Sequence, residues 1–77
     1  MIGKRVYCFT SLQPGEYGKQ DDENWYANSP NDLLANLGNH HVVECEDGTI
    51  TVTPSIKVWN NSISWHGYLT KGEWQEC

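Results

Sequence analysis

The stretch from Glu46 to Trp74, EDGTITVTPSIKVWNNSISWHGYLTKGEW, decides the fold. Its apolar residues recur at every second position, the period of a strand with one buried face. Ile50, Val52, Ile56 and Val58 point one way, and Thr49, Thr51, Thr53, Ser55 and Lys57 the other. Pro54 falls inside this run. It has no N–H to give to a ladder, so it marks a bulge, an edge or a break into two strands, and a bend with pairing on both sides is the favoured reading. Asp47-Gly48 before the run is a hairpin signal, because that pair tolerates the positive φ of a type I′ turn. Asn60-Asn61-Ser62 after it turns the chain again. Ile63, Trp65, Gly67 and Leu69 then alternate with Ser64, His66 and Tyr68, Thr70-Lys71-Gly72 makes a further turn, and Glu73-Trp74-Gln75 closes as a short strand.

Working outward, His40 to Glu46 reads as the strand that enters the Asp47-Gly48 turn. Ser29-Pro30-Asn31-Asp32 has the grammar of a helix start: Ser29 as N-cap, Pro30 at the first helical position and Asp32 facing the positive helix end. Leu33, Leu34 and Leu37 would form its apolar stripe and Gly38 its stop, giving about two turns that must pack on the sheet. Gln13 to Asn24 is polar and aperiodic and reads as a mobile loop, anchored at its far end by Trp25-Tyr26-Ala27. Lys4 to Ser11 is rich in strand-favouring residues and ends before Pro14-Gly15. The expected architecture is α+β, mainly β: a small antiparallel sheet of four to five strands with one short helix packed on it, in a single domain spanning 1–77.

Composition limits the function classes. With 77 residues the chain is near the lower size for folding without staples. Five Lys and Arg against ten Asp and Glu give a net charge of −5, which argues against direct nucleic-acid or membrane binding. The start MIGKRVYCFT lacks the apolar core of a signal peptide, and no stretch is apolar enough for a membrane span, so the expected compartment is the cytoplasm. In a reducing setting Cys8, Cys45 and Cys77 are free thiols.

Candidate chemistry is sparse. His40, His41, Cys45, His66 and Cys77 are the possible zinc ligands, but none lie at paired short spacings. His41 and Cys45 would be about 13 Å apart on an extended strand. No metal or other cofactor is therefore implied. Cys45 with His41 or His66 is a conceivable thiol–imidazole pair, yet Glu44 and Glu46 flank it, the opposite of the electropositive setting a nucleophilic thiol needs. His66 is either a hydrogen-bonded structural histidine or a functional contact. Trp59, Trp65, Tyr68 and Trp74 fall on neighbouring strands, with Trp59 expected to face outward as an interface anchor. Asp21-Asp22-Glu23 is the one acidic cluster and suits a solvated loop or a basic partner.

The residues Asp47-Gly48-Thr49, Pro54-Ser55-Ile56, Trp65-His66-Gly67-Tyr68-Leu69 and Gly72-Glu73-Trp74 resemble the C-terminal half of a family of small phage and bacterial proteins of unknown function. Some of its phage members are labelled ammonia monooxygenase. Many members carry a cysteine-rich knuckle and a cysteine three residues before the histidine, together implying a zinc site. Here that position is Ile63, and no Cys-x-Cys or Cys-x-x-Cys is present. The resemblance implies a β-rich fold and a phage origin. Together with the composition it leads to the expectation of a non-enzymatic phage accessory protein. Such a protein would bind a host protein, such as a CRISPR effector or restriction system, through Asp21, Asp22, Glu23, Trp59, His66, Tyr68 and Trp74. The alternatives are a zinc-binding or degenerate zinc module with an assembly role, and a small hydrolase or transferase using Cys45 or His66. An open sheet edge would also allow a homodimer.

Overall fold

The computed structural model describes all residues, Met1–Cys77. The chain is all-β, with eight strands in two four-stranded sheets. The first sheet has β1 (Lys4–Arg5), β2 (Glu16–Lys19), β3 (Trp25–Asn28) and β4 (Leu34–Asn36) in that order; β1 and β2 are parallel and the rest antiparallel. The second has β5 (His41–Glu44), β6 (Ile50–Trp59), β7 (Ser64–Thr70) and β8 (Glu73–Glu76), an antiparallel meander. No helix is present, so none is long and apolar enough to cross a membrane.

The C-terminal stretch folds as its alternation dictates. Ile50, Val52 and Ile56 of β6, Trp65 and Leu69 of β7 and Trp74 of β8 are buried together. Tyr17, Ala27, Leu33, Ala35 and Leu37 of the first sheet face them, completing a sandwich core. Trp65 and Trp74 meet edge to face, 5.2 Å between centroids and 83° between planes, a pair worth about 0.5–1.5 kcal/mol beyond its buried area. Ile63 lies before β7 and remains exposed, outside the alternation expected of it.

The two sheets are stitched at one corner. Ile2 forms an antiparallel bridge with Glu73, Gly3 N–H donates to Gly72 O (2.7 Å), and Trp74 N–H donates to Met1 O (2.8 Å). The N-terminal residues thus cover the edge of β8 that would otherwise be open. The Trp74 indole N–H donates to Gly15 O across the core at 2.9 Å. At another edge Arg5 links the sheets: its guanidinium donates to Glu44 Oε2 (2.6 Å) and Gly48 O (3.0 Å) and stacks on Tyr7 and Trp25. That guanidinium holds the Glu44 carboxyl below its ordinary range.

The expected helix after Ser29 is instead the β3–β4 hairpin. Ser29 does use its hydroxyl as a cap, accepting from Leu33 N–H at 2.9 Å, but what it caps is a tight turn. Asp32 N–H donates to Ser29 O, Ser29 N–H donates to Leu33 O, and Asp32 takes φ of 68°. This is the type I turn with a left-handed residue that three-residue hairpin loops use. The side chains that matter follow period 2: Leu33, Ala35 and Leu37 are buried, while Leu34 is 63% exposed. Asp47-Gly48 builds the same kind of loop, with Cys45 N–H donating to Thr49 O and Gly48 alone at positive φ, rather than a type I′ turn. The type I′ geometry belongs to Lys71-Gly72, at φ 48° and 76°.

The N-terminal third also departs from expectation. The strand expected over Lys4–Ser11 ends at Arg5, and Cys8 adopts φ of 53°. The expected loop Gln13–Asn24 contains β2, whose Tyr17 is almost fully buried.

Two outcomes follow from this packing. A Cβ at Gly67 would run into the Gln75 carbonyl oxygen and the Trp65 ring. Gly67→Ala will lower unfolding free energy by about 1–3 kcal/mol in urea titration; an unchanged midpoint would remove the close β7–β8 approach. Burial raises the Tyr17 phenol above its ordinary 10.0. The folded state therefore holds that proton more tightly, so its contribution is complete below pH 10 and is lost as pH rises toward the folded value. Tyr17→Phe will flatten the fall in stability measured by urea titration from pH 9 to 11, and a slope equal to that of the parent would contradict this.

Candidate functional site

Pro54 sets the geometry of the outer face of the second sheet. Val52 pairs with Leu69 and Ile56 with Gly67, so β6 carries two extra residues between these rungs. Pairing continues on both sides of Pro54, as expected, and the irregularity between them is a bulge. Beyond the bulge the register runs Lys57 with His66, Val58 with Trp65 and Trp59 with Ser64. Ser55 lies on the outer face at the end of the bulge, one diagonal step from His66. Its hydroxyl oxygen is 2.8 Å from His66 Nε2.

Both partners are held from behind. His40 Nε2 lies 3.2 Å from the Ser55 carbonyl oxygen. In the tautomer protonated at Nε2 it donates there, occupying the place where β5 would have supplied its next rung. His40 Nδ1 is then the bare nitrogen, and it is buried without a partner. Cys77 N–H donates to the His66 carbonyl at 2.9 Å, fixing the β7 backbone under the imidazole. The pair itself faces solvent, with Ser55 half-buried and His66 exposed. Lys57, directly across from His66, puts a cation on the same face.

The chemistry open to this arrangement is that of a hydroxyl with a base. With its own proton on Nδ1, His66 presents a lone pair at Nε2 to the Ser55 O–H. The separation is within reach for removing that proton as the oxygen attacks.

Beside the pair lies a cleft of about 280 Å³ between β4 and the upper part of β6. Leu34, Ala35, Asn36, His40, Lys57 and Trp59 are among its lining residues.

The other expected site residues scatter. Trp59 is 69% exposed and Tyr68 45%, on the outer side of the sheet as expected. Trp74 is 3% exposed and belongs to the core, because the closing strand packs its one apolar side chain under the N-terminal residues. Asp21, Asp22 and Glu23 form the exposed β2–β3 turn. The Asp22 carboxylate accepts from Asn24 N–H (2.9 Å) and from the Tyr26 hydroxyl (3.1 Å), which hold its carboxyl below the ordinary 3.8. Asp22 is therefore engaged within its own hairpin. Cys45 is near Thr51, with 3.8 Å between sulfur and hydroxyl oxygen, and no three His, Cys, Asp or Glu side chains converge as metal ligands.

Ser55 was legible only as an outward strand residue. The signal that finds it is the pairing of Pro-Ser-Ile with Trp-His-Gly across the Asn60–Ile63 turn, since a hairpin there brings the two outward side chains together.

The family model described as bacterial ubiquitination-like system serine protease (BubE) matches residues 26–77, more than half of the chain. No curated protein and no solved structure matches. The matched span contains both Ser55 and His66, along with every residue that carried the resemblance. It overturns the expectation of a non-enzymatic phage binder of host defence proteins, and the zinc-module alternative with it: the description is of a bacterial system and of a protease. A strand-rich chain with a serine hydroxyl on an imidazole agrees with that description. The chain belongs to the bacterial ubiquitination-like system serine protease (BubE) family.

Proposed function

We propose that this protein hydrolyses a polypeptide bond within a bacterial ubiquitination-like system, with Ser55 as nucleophile and His66 as general base. The observation that carries this reading is the 2.8 Å contact between Ser55 Oγ and His66 Nε2, inside the span that the protease family model matches.

The steps follow from the geometry. Ser55 Oγ attacks the carbonyl carbon of the scissile bond, and its proton passes to His66 Nε2. The C–N bond breaks as His66 returns that proton to the leaving amine, leaving an acyl ester on Ser55. Water then enters, gives a proton to the same imidazole, and releases the acid as Ser55 recovers its hydrogen. Position supports the assignment as well. The bulge leaves the Ser55 side chain on the outer face of the sheet, half-buried and next in the chain to Ile56, which lines the cleft. His40 restrains the Ser55 backbone from the other side, so the nucleophile is held at its carbonyl and free at its hydroxyl.

A fluorophosphonate probe tests the assignment. Mass spectrometry of the labelled protein will place the adduct on Ser55, and Ser55→Ala will abolish it. His66→Ala will slow labelling by about 10²- to 10⁴-fold, the usual contribution of a positioned general base. Neither variant will shift unfolding by more than about 0.5 kcal/mol, because both side chains lie on the outer face. Undiminished labelling of Ser55→Ala, or an adduct on another serine, would refute the assignment.

A further inference from the structure

We propose that Lys57 selects the leaving side of the substrate by taking a carboxylate carried by the residue whose amine departs; this rests on the assignment of Ser55 and His66 above. The departing amine lies beside His66, because that imidazole protonates it. Lys57 is the residue directly across from His66. Asn60 N–H donates to Ile63 O at the turn, and Cys77 N–H donates to His66 O from β8. Lys57 and His66 thus turn their peptide groups away from each other. They form the non-hydrogen-bonded kind of pair, in which opposing side chains come closest, about 4.5–5.5 Å between Cβ atoms.

The charge around Lys57 supports the same role. The chain carries −5 overall, yet its one ion pair is Arg5–Glu44, and no carboxylate lies within ion-pair distance of Lys57. Arg5 stacks on Tyr7 and Trp25, and the Lys19 ammonium sits 6.0 Å over the Trp25 ring. Lys57 makes no such contact and is exposed. Glu73, the carboxylate of outward parity on β8, stands opposite Thr70, four positions along β7 from His66. That is about 13 Å along the strand, more than the screening length at physiological salt. A cation without an anion, beside the general base of an acidic protein, complements an anion that the substrate brings.

Two sources supply that anion. An Asp or Glu side chain and the α-carboxylate of a C-terminal residue both place a negative charge within a few bonds of the departing amine. Both members of the pair are solvated, so the preference is about 2- to 5-fold. It biases the choice of bond and leaves the chemistry to Ser55 and His66.

Acyl transfer reads the leaving side directly, since an amine that captures the acyl group enters where the leaving amine departs. p-Nitrophenyl acetate acylates Ser55 with a burst of nitrophenol. The added amine then attacks the ester carbonyl, the bond to Ser55 Oγ breaks, and the amine's proton passes through His66 Nε2 to that oxygen. The amines are glycine against glycinamide, and glutamic acid α-amide against glutamine α-amide. Each transfer-to-hydrolysis ratio in the parent is divided by that in Lys57→Met, which cancels the amine's own reactivity. The quotient is expected at about 2–5 for an acidic amine and near 1 for its neutral twin. It will fall in about 0.5 M NaCl, and Lys57→Arg will retain the preference. A raised quotient for glycine alone assigns a C-terminal carboxylate, and one for glutamic acid α-amide alone assigns a side chain; either supports the proposal. Equal quotients for acidic and neutral amines, or a preference indifferent to salt, would overturn it while the burst keeps Ser55 as nucleophile. No burst, or one that persists in Ser55→Ala, removes the catalytic assignment and the role of Lys57 with it.

Discussion

The structure depends on one irregularity, the bulge that Pro54 imposes on β6. A residue without an N–H cannot supply a rung, so the ladder to β7 breaks after Val52 and resumes at Ile56 with two extra residues on one side. The inward alternation survives the break: Val52 and Ile56 are both buried, while Pro54 between them is pushed out to solvent. Ser55, outward by the same alternation, lies at the end of the break within hydrogen-bond distance of His66. A core strand and a reactive pair are thus made by one stretch of chain, with opposite parities serving the two ends.

The ends of the pairing network matter as much as its middle. β8 is covered by the N-terminal residues, and Arg5 ties β1 to the β5–β6 hairpin through Glu44 and Gly48. These contacts close one side of the sandwich. On the other side β5 stops at His41, and the His40 ring rather than a further strand residue reaches Ser55. The fold is therefore closed where the termini meet, and β6 is left with an unpaired edge beyond Thr53.

The charge balance has a more limited meaning than its size suggests. The Asp21–Glu23 cluster is the most acidic run in the chain, yet Asp22 spends its oxygens on Asn24 and Tyr26. Short runs of acid in a turn serve the turn first, because the unsatisfied N–H groups there need acceptors. Lys57, opposite His66, puts one cation on that face.

The sequence by itself determined the second sheet. The inward residues of β6, Trp65 and Leu69 of β7, an irregularity at Pro54, the turn at Asn60–Ser62 and the outward placing of Trp59 follow from period-2 alternation and from what proline cannot donate. It determined too little at Ser29–Leu37, where the signals for a helix N-cap and for a type I hairpin loop are the same: a hydroxyl that accepts from an N–H a few residues on. Only packing separates them. Once β2 and β3 are paired, Leu33, Ala35 and Leu37 extend the inner face of Tyr17 and Ala27 toward the second sheet, and the backbone between them completes the ladder with β3. Tertiary structure alone decided the function-bearing contact. His66 was visible as a candidate, but the partner that gives it chemical meaning lies eleven residues away across a hairpin, and the distance between a hydroxyl and an imidazole is a property of register, which local sequence does not carry.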